Sequence, residues 1–166
     1  LLNELYAIEP TNEEIYIQKA NIHSKRDEHE KAISFLKIAL KYTDDYADVY
    51  SMIGMEYLFM DNLELAKENI IKCLDEDTED YSALYNVVYC FDFLDQNEDA
   101  IVYLNKFIDK NPYSEVAWHQ LGRQYYALKN YEKAVWAFDY ATLIDETFLG
   151  AYMEKAKSYE KLKKYQ

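Results

Sequence analysis

The stretch 118–138, WHQLGRQYYALKNYEKAVWAF, decides the fold. It places Trp118, Leu121, Gly122 and Tyr125 ahead of Ala134 and Phe138. Apolar residues recur in it at three- and four-residue spacing, which gives each helix one apolar stripe. The small residues Gly122 and Ala134 let two such helices approach closely, and large residues such as Trp118 and Tyr125 fill the space beside them.

The same slots return every 34 residues. One step toward the N-terminus gives Leu84, Val87, Val88, Phe91, Ala100 and Leu104, with Pro112 ending the second helix. The next gives Tyr50, Ile53, Gly54, Tyr57, Ala66 and Ile70. A third gives Tyr16, Lys19, Ala20, His23, Ala32 and Leu36, in which Lys19 and His23 depart from the pattern. Asp27, Asp61 and Asp95 fall in the hairpin turns, where Asp tolerates turn geometry well. The flanks keep the spacing: Leu2, Leu5 and Pro10 fall on second-helix slots, and Tyr152, Ala156 and Tyr159 on first-helix slots.

The expected organisation is one domain over residues 1–166 with four full repeats, 13–46, 47–80, 81–114 and 115–148. Residues 1–12 read as the second helix of a truncated repeat, and 149–166 as the first helix of a further repeat or a charged capping helix. A half hairpin at the start predicts that the chain is a segment of a longer array, or that residues 1–12 find cover in another molecule.

The pattern W-x2-L-G-x2-Y followed by A-x3-F resembles the tetratricopeptide repeat family, across the whole chain. The resemblance implies an all-α fold, a right-handed superhelical solenoid of antiparallel helix hairpins. It also implies a protein-binding scaffold whose first helices line a concave groove that receives a peptide or helix. The family's groove positions carry over to Glu14, Ile17, Asn21, Ser24 and Lys25 in the first repeat and to Asp48, Ser51, Met55, Leu58 and Phe59 in the second. In the third they are Ser82, Tyr85, Tyr89, Asp92 and Phe93, in the fourth Val116, His119, Arg123, Tyr126 and Ala127, and beyond it Met153 and Lys157. The partner-binding residues expected from this are Asn21, Met55, Tyr85, Tyr89, His119, Arg123 and Tyr126. Aromatics and methionine bring contact area at low entropic cost and adapt to shape. One subset of the family clamps the C-terminal carboxylate of chaperones with Lys and Asn at fixed slots. Those slots here include Ser51, Met55, Asn86, Val116 and Gln120, which lack the cations that a carboxylate needs.

Composition narrows the partner. A net charge of −13 disfavours nucleic acid, whose binding needs clustered Lys and Arg, and equally disfavours anionic membranes. No apolar run reaches the length of a membrane span, and the expected location is cytoplasmic. Gly and Pro number only 3 and 2, too few for a phosphate-cradling loop. Cys73 and Cys90 have neither metal spacing nor a disulfide framework and read as buried thiols. Asp75, Asp77 and Glu79 begin like a calcium loop, but Asp80 replaces its glycine and Asn86 its last glutamate, leaving a solvated acidic edge. None of His23, His29 and His119 sits four residues from another, and no nucleophile or metal partner accompanies His119 in the sequence. No catalytic residue, metal or cofactor is therefore expected.

Two roles remain open from the sequence. One is a scaffold binding a partner's peptide or helix in the Tyr/Met groove. The alternative is a self-assembling scaffold, or the recognition arm of a larger enzyme or regulator.

Overall fold

The computed structural model describes residues 11–165, and every regular element among them is a helix. In order these are α1 (Glu13–Ser24), α2 (His29–Ala39), α3 (Tyr46–Phe59), α4 (Leu63–Glu76) and α5 (Tyr81–Phe93). Then follow α6 (Asn97–Lys110), α7 (Glu115–Ala127), α8 (Tyr131–Ile144) and α9 (Leu149–Tyr165). The fold is an all-α helical-repeat solenoid. The expected half hairpin at residues 1–10 lies outside the described residues.

Six helix starts are written in short polar side chains, whereas Glu28 and Gln96, before α2 and α6, make no side-chain capping bond. Asn12, Asp45, Asp80 and Ser114 accept the free N–H groups of Glu14, Asp48, Ala83 and Ala117 at 3.0, 3.2, 2.9 and 3.2 Å. Asn62 and Asn130 do the same for α4 and α8, each at 3.3 Å. Much of the acidic loop after α4 thus has a local use: Asp80 caps α5, and Asp77 accepts the N–H of Glu79 at 2.9 Å.

The turns within hairpins share one geometry. Asp27, Asp61, Asp95 and Lys129 are left-handed, with φ of 57°, 56°, 56° and 61°. The residue after each donates to the carbonyl five residues back, from Glu28 to His23, Asn62 to Tyr57, Gln96 to Phe91 and Asn130 to Tyr125, at 2.9–3.0 Å. This is a Schellman closure, which satisfies carbonyls that the ending helix leaves open. Its accepting residue is the aromatic that begins the last turn of each first helix, so one slot serves both packing and chain reversal.

By packing, the chain divides into two compact units, with the boundary between Cys90 and Phe91 inside α5. In the first, α1 packs on α2, α2 on α3 and α3 on α4. Its core joins Tyr16, Ala20, Ala32, Leu36, Val49 and Ile53. The two residues that depart from the repeat pattern converge on Phe35: His23 stacks on it at 5.3 Å, and Lys19 Nζ lies 5.7 Å from its ring centre. Cys73 and Cys90 are buried here, which pushes both thiols up to about 11, with the Asp80 charge adding to the effect at Cys73.

In the second unit α6 packs on α7, α7 on α8, and α9 on both α8 and α7. Trp118 stacks on Tyr140 at 4.4 Å, meets Trp136 edge-on at 5.2 Å and donates its indole N–H to the Pro112 carbonyl at 2.9 Å. Leu121, Ala134 and Phe138 are fully buried beneath it. Ala156, by contrast, is exposed on α9, although it occupies the same small-residue slot as Gly122.

A Cβ at Gly122 would sit 2.5 Å from Phe138 Cε1 and 2.6 Å from its Cδ1, so the fully buried ring would have to shift. At Gly150 the nearest atom would be 3.4 Å away. Alanine gains roughly 1 kcal/mol of helix propensity over glycine, whereas overpacking costs about 1–3 kcal/mol. Thermal denaturation of Gly122→Ala is therefore expected to fall by several degrees, while Gly150→Ala melts at or slightly above the wild-type temperature. Lys129 carries left-handed strain of about 1–2 kcal/mol, partly offset by the greater unfolded-state freedom of glycine. Urea denaturation of Lys129→Gly is expected to show a net gain of about 0.5–1 kcal/mol.

Candidate functional site

Two faces gather the residues that the spacing singles out. The first belongs to the N-terminal unit. Tyr85 and Tyr89 lie four residues apart on α5, hence on one side of it, and are 42% and 45% exposed. Between them in sequence, Asn86 reaches across to α3, its Nδ2 donating to the Sδ of the half-buried Met55 at 3.5 Å. Phe59 is 61% exposed, with His29 stacked on it at 5.5 Å. Asn21, farther back on α1, is half-buried, and its carbonyl accepts the N–H of Lys25 at 3.1 Å.

The second face lies in the C-terminal unit and surrounds a cavity of about 500 Å³. Asp92, Asp95 and Asn97 border it on one side, and Arg123, Gln124, Tyr126 and Ala127 of α7 on another. Phe138 forms part of its floor, and Glu154 and Lys157 of α9 complete the lining. Arg123 donates through Nη1 to Gln120 Oε1 at 3.0 Å, and its Nε stands 3.9 Å from Glu154 Oε1. Tyr126 is half-buried, its ring edge-on to Tyr131 at 5.2 Å. His119 does not reach an open surface. It is 8% exposed, wedged against Phe148 and Phe138 at 4.7 and 5.7 Å, and its Nε2 stands 2.8 Å from Glu154 Oε2.

Glutamates turn out to be what the histidines have in common. His23 Nδ1 meets Glu28 at 2.5 Å and His29 Nδ1 meets the buried Glu56 at 2.7 Å, as His119 meets Glu154. Two of these partners lie about one repeat away in sequence, which is why no local motif announces them. Gln120 entered the sequence reading only as a clamp slot and Gln124 not at all, yet they are 0% and 1% exposed. A signal was present: both are polar residues on the helix that carries Trp118 and Leu121, one turn from packing slots. Among the described residues no three His, Cys, Asp or Glu side chains gather as metal ligands, and no helix is long and apolar enough to cross a membrane.

A family model described as the tetratricopeptide repeat matches residues 13–46 and 47–80. Over those residues the chain belongs to the tetratricopeptide repeat family. Among curated proteins, this chain is similar to anaphase-promoting complex subunit 3 of Schizosaccharomyces pombe, 25% identical over 157 residues. That match covers 95% of the chain but spans only 24% of the relative's length. Among solved structures, MamA aligns with a TM-score of 0.67 and 23% identity, over 90% of this chain and 81% of that one. YrrB, described as a TPR protein with an unusual peptide-binding site, aligns with a TM-score of 0.64 and 23% identity, over 96% and 82%. These likenesses show the fold.

Burial alone would raise the Glu154 carboxyl. The contact and charge of His119, with the charges of Arg123 and Lys157, outweigh it and hold the group below its ordinary value. A carboxyl depressed in the folded state stabilises above its unfolded value, about 4.5, and the stabilisation is lost as pH falls through the folded one. Glu154→Gln is expected to lower the melting temperature at pH 7. Between pH 5 and pH 3 the wild type should lose stability more steeply than this variant, so that the two melting curves converge.

Proposed function

We propose that this chain is a protein–protein interaction scaffold that binds a peptide or helix of a partner on the aromatic and methionine face of its first helices, with Tyr85 and Tyr89 as the main anchors. Tetratricopeptide proteins generally mediate protein–protein interaction, and the finer reading rests on one observation. Two tyrosines one turn apart on α5 are each more than two-fifths exposed, and Asn86 of the same helix is bonded to Met55 of α3. Such residues bring large contact area with few torsions to freeze. YrrB supports the reading as a relative in fold whose description names a peptide-binding site.

The occupant differs from a chaperone tail. Ser51, Met55, Asn86, Val116 and Gln120 stand where a clamp for a terminal carboxylate would need cations. A net charge of −13 favours a basic or mixed-charge segment. We read the chain as a binder rather than an enzyme, because each histidine is engaged by a glutamate and both cysteines are buried as thiols.

Burying a tyrosine on binding contributes about 1.5–3 kcal/mol, so loss of both rings weakens a complex by roughly two orders of magnitude or more. In affinity capture followed by mass spectrometry, Tyr85→Ala with Tyr89→Ala is expected to lose the partners that the wild type enriches. Circular dichroism should show an unchanged fold, since both side chains are exposed. Retention of the same partners at the same yield would overturn the assignment of this face.

A further inference from the structure

The cavity of the C-terminal unit contains a polar atom that the fold leaves without a partner. Gln124 is 1% exposed; its Nε2 donates to Asp92 Oδ1 at 2.8 Å, while its Oε1 is buried and accepts no hydrogen bond. The amide cannot simply turn over, because that would set its oxygen against the Asp92 carboxylate, acceptor against acceptor. A buried acceptor left in this state is costly, and a donor that reaches it as the surrounding side chains shift relieves it.

Charge around the cavity specifies the donor. Glu154 is already compensated by His119, Arg123 and Lys157. Asp92 and Asp95 are not: both are exposed, and neither has an ion-pair partner among the described residues. Tyr126 adds an aromatic wall, the kind of surface on which a cation rests favourably. The volume of about 500 Å³ far exceeds the shell of a bound metal ion and suits a long side chain with its backbone.

We propose that this cavity receives the ammonium or guanidinium end of a lysine or arginine side chain of a partner polypeptide. Gln124 Oε1, Asp92 and Asp95 accept its protons, and Tyr126 lines its path. The proposal rests on the reading of the chain as a polypeptide binder but not on the tyrosine face of the other unit.

The probes are the acetylated, amidated tripeptides Gly-Arg-Gly and Gly-Lys-Gly, with Gly-citrulline-Gly and Gly-Glu-Gly as controls. Each is titrated into the 15N-labelled chain and followed by NMR. The two cationic peptides are expected to shift Asp92, Asp95, Gln124 and Tyr126 saturably, with dissociation constants at least fivefold lower than those of the controls. Asp92→Asn with Asp95→Asn should weaken binding of the arginine peptide at least fivefold. Asp95→Asn alone, which keeps a residue at ease in the left-handed turn, should weaken it in the same direction while leaving the fold intact. Equal binding of the citrulline peptide, shifts confined to other residues, or an unaltered affinity in Asp95→Asn would each overturn the proposal. The Tyr85→Ala, Tyr89→Ala variant is expected to bind the arginine probe as the wild type does, which separates failure of this site from failure of the tyrosine face. Loss of the probe in that variant would overturn its placement here.

Discussion

Everything in each hairpin follows from how closely its two helices approach. Ala32, Ala66, Ala100 and Ala134 are all 0% exposed, and opposite them stand Ala20, Gly54, Val88 and Gly122. At Gly122 the facing ring of Phe138 already occupies the space that a single methyl group would need. Approach at that distance brings large neighbours, Leu36, Ile70, Leu104 and Phe138, into near-complete burial, and dispersion and hydrophobic terms then accumulate along the stripe. The chain can reverse so tightly only because one residue per turn accepts a left-handed conformation.

Much of this was legible from one sequence because a repeat tests itself. Each slot is sampled four times, so a residue type that persists stands out against residues that vary. Ala32, Ala66, Ala100 and Ala134 in the second helices and Asp at the turn could be read with their physical reasons, and the turn geometry agrees at Asp27, Asp61 and Asp95. Lys129 escaped notice, since its side chain gives no hint that its backbone is left-handed; only its spacing from the three aspartates carries that information. The departures Lys19 and His23 were visible as exceptions, whereas their shared partner Phe35 was not, because it lies outside the pattern slots.

The candidate sites were less legible, for a reason that concerns distance along the chain. The spacing named Tyr85 and Tyr89, whose exposure agrees with a surface role, and it also named His119, which is enclosed by two phenylalanines and a glutamate. A positional rule places a Cβ on one side of a helix; what covers that side chain depends on residues some thirty positions away. Gln124 and Asp92 illustrate the point, since a buried amide with one satisfied end is the product of two repeats and is invisible in either.

The contrast between backbone and side chains bears on how such an array can change. Turns and caps recur so faithfully that one hairpin's main chain could stand in for another's. The polar contacts are not interchangeable: Asn86 with Met55, His29 with Glu56, Gln124 with Asp92 and His119 with Glu154 each require a particular residue about one repeat away. Duplicating, deleting or shuffling a repeat would preserve the helices yet strand these groups opposite strangers. The order of the repeats is thereby written into the interior, and evolution by repeat gain or loss has fewer admissible joints than the regular main chain suggests.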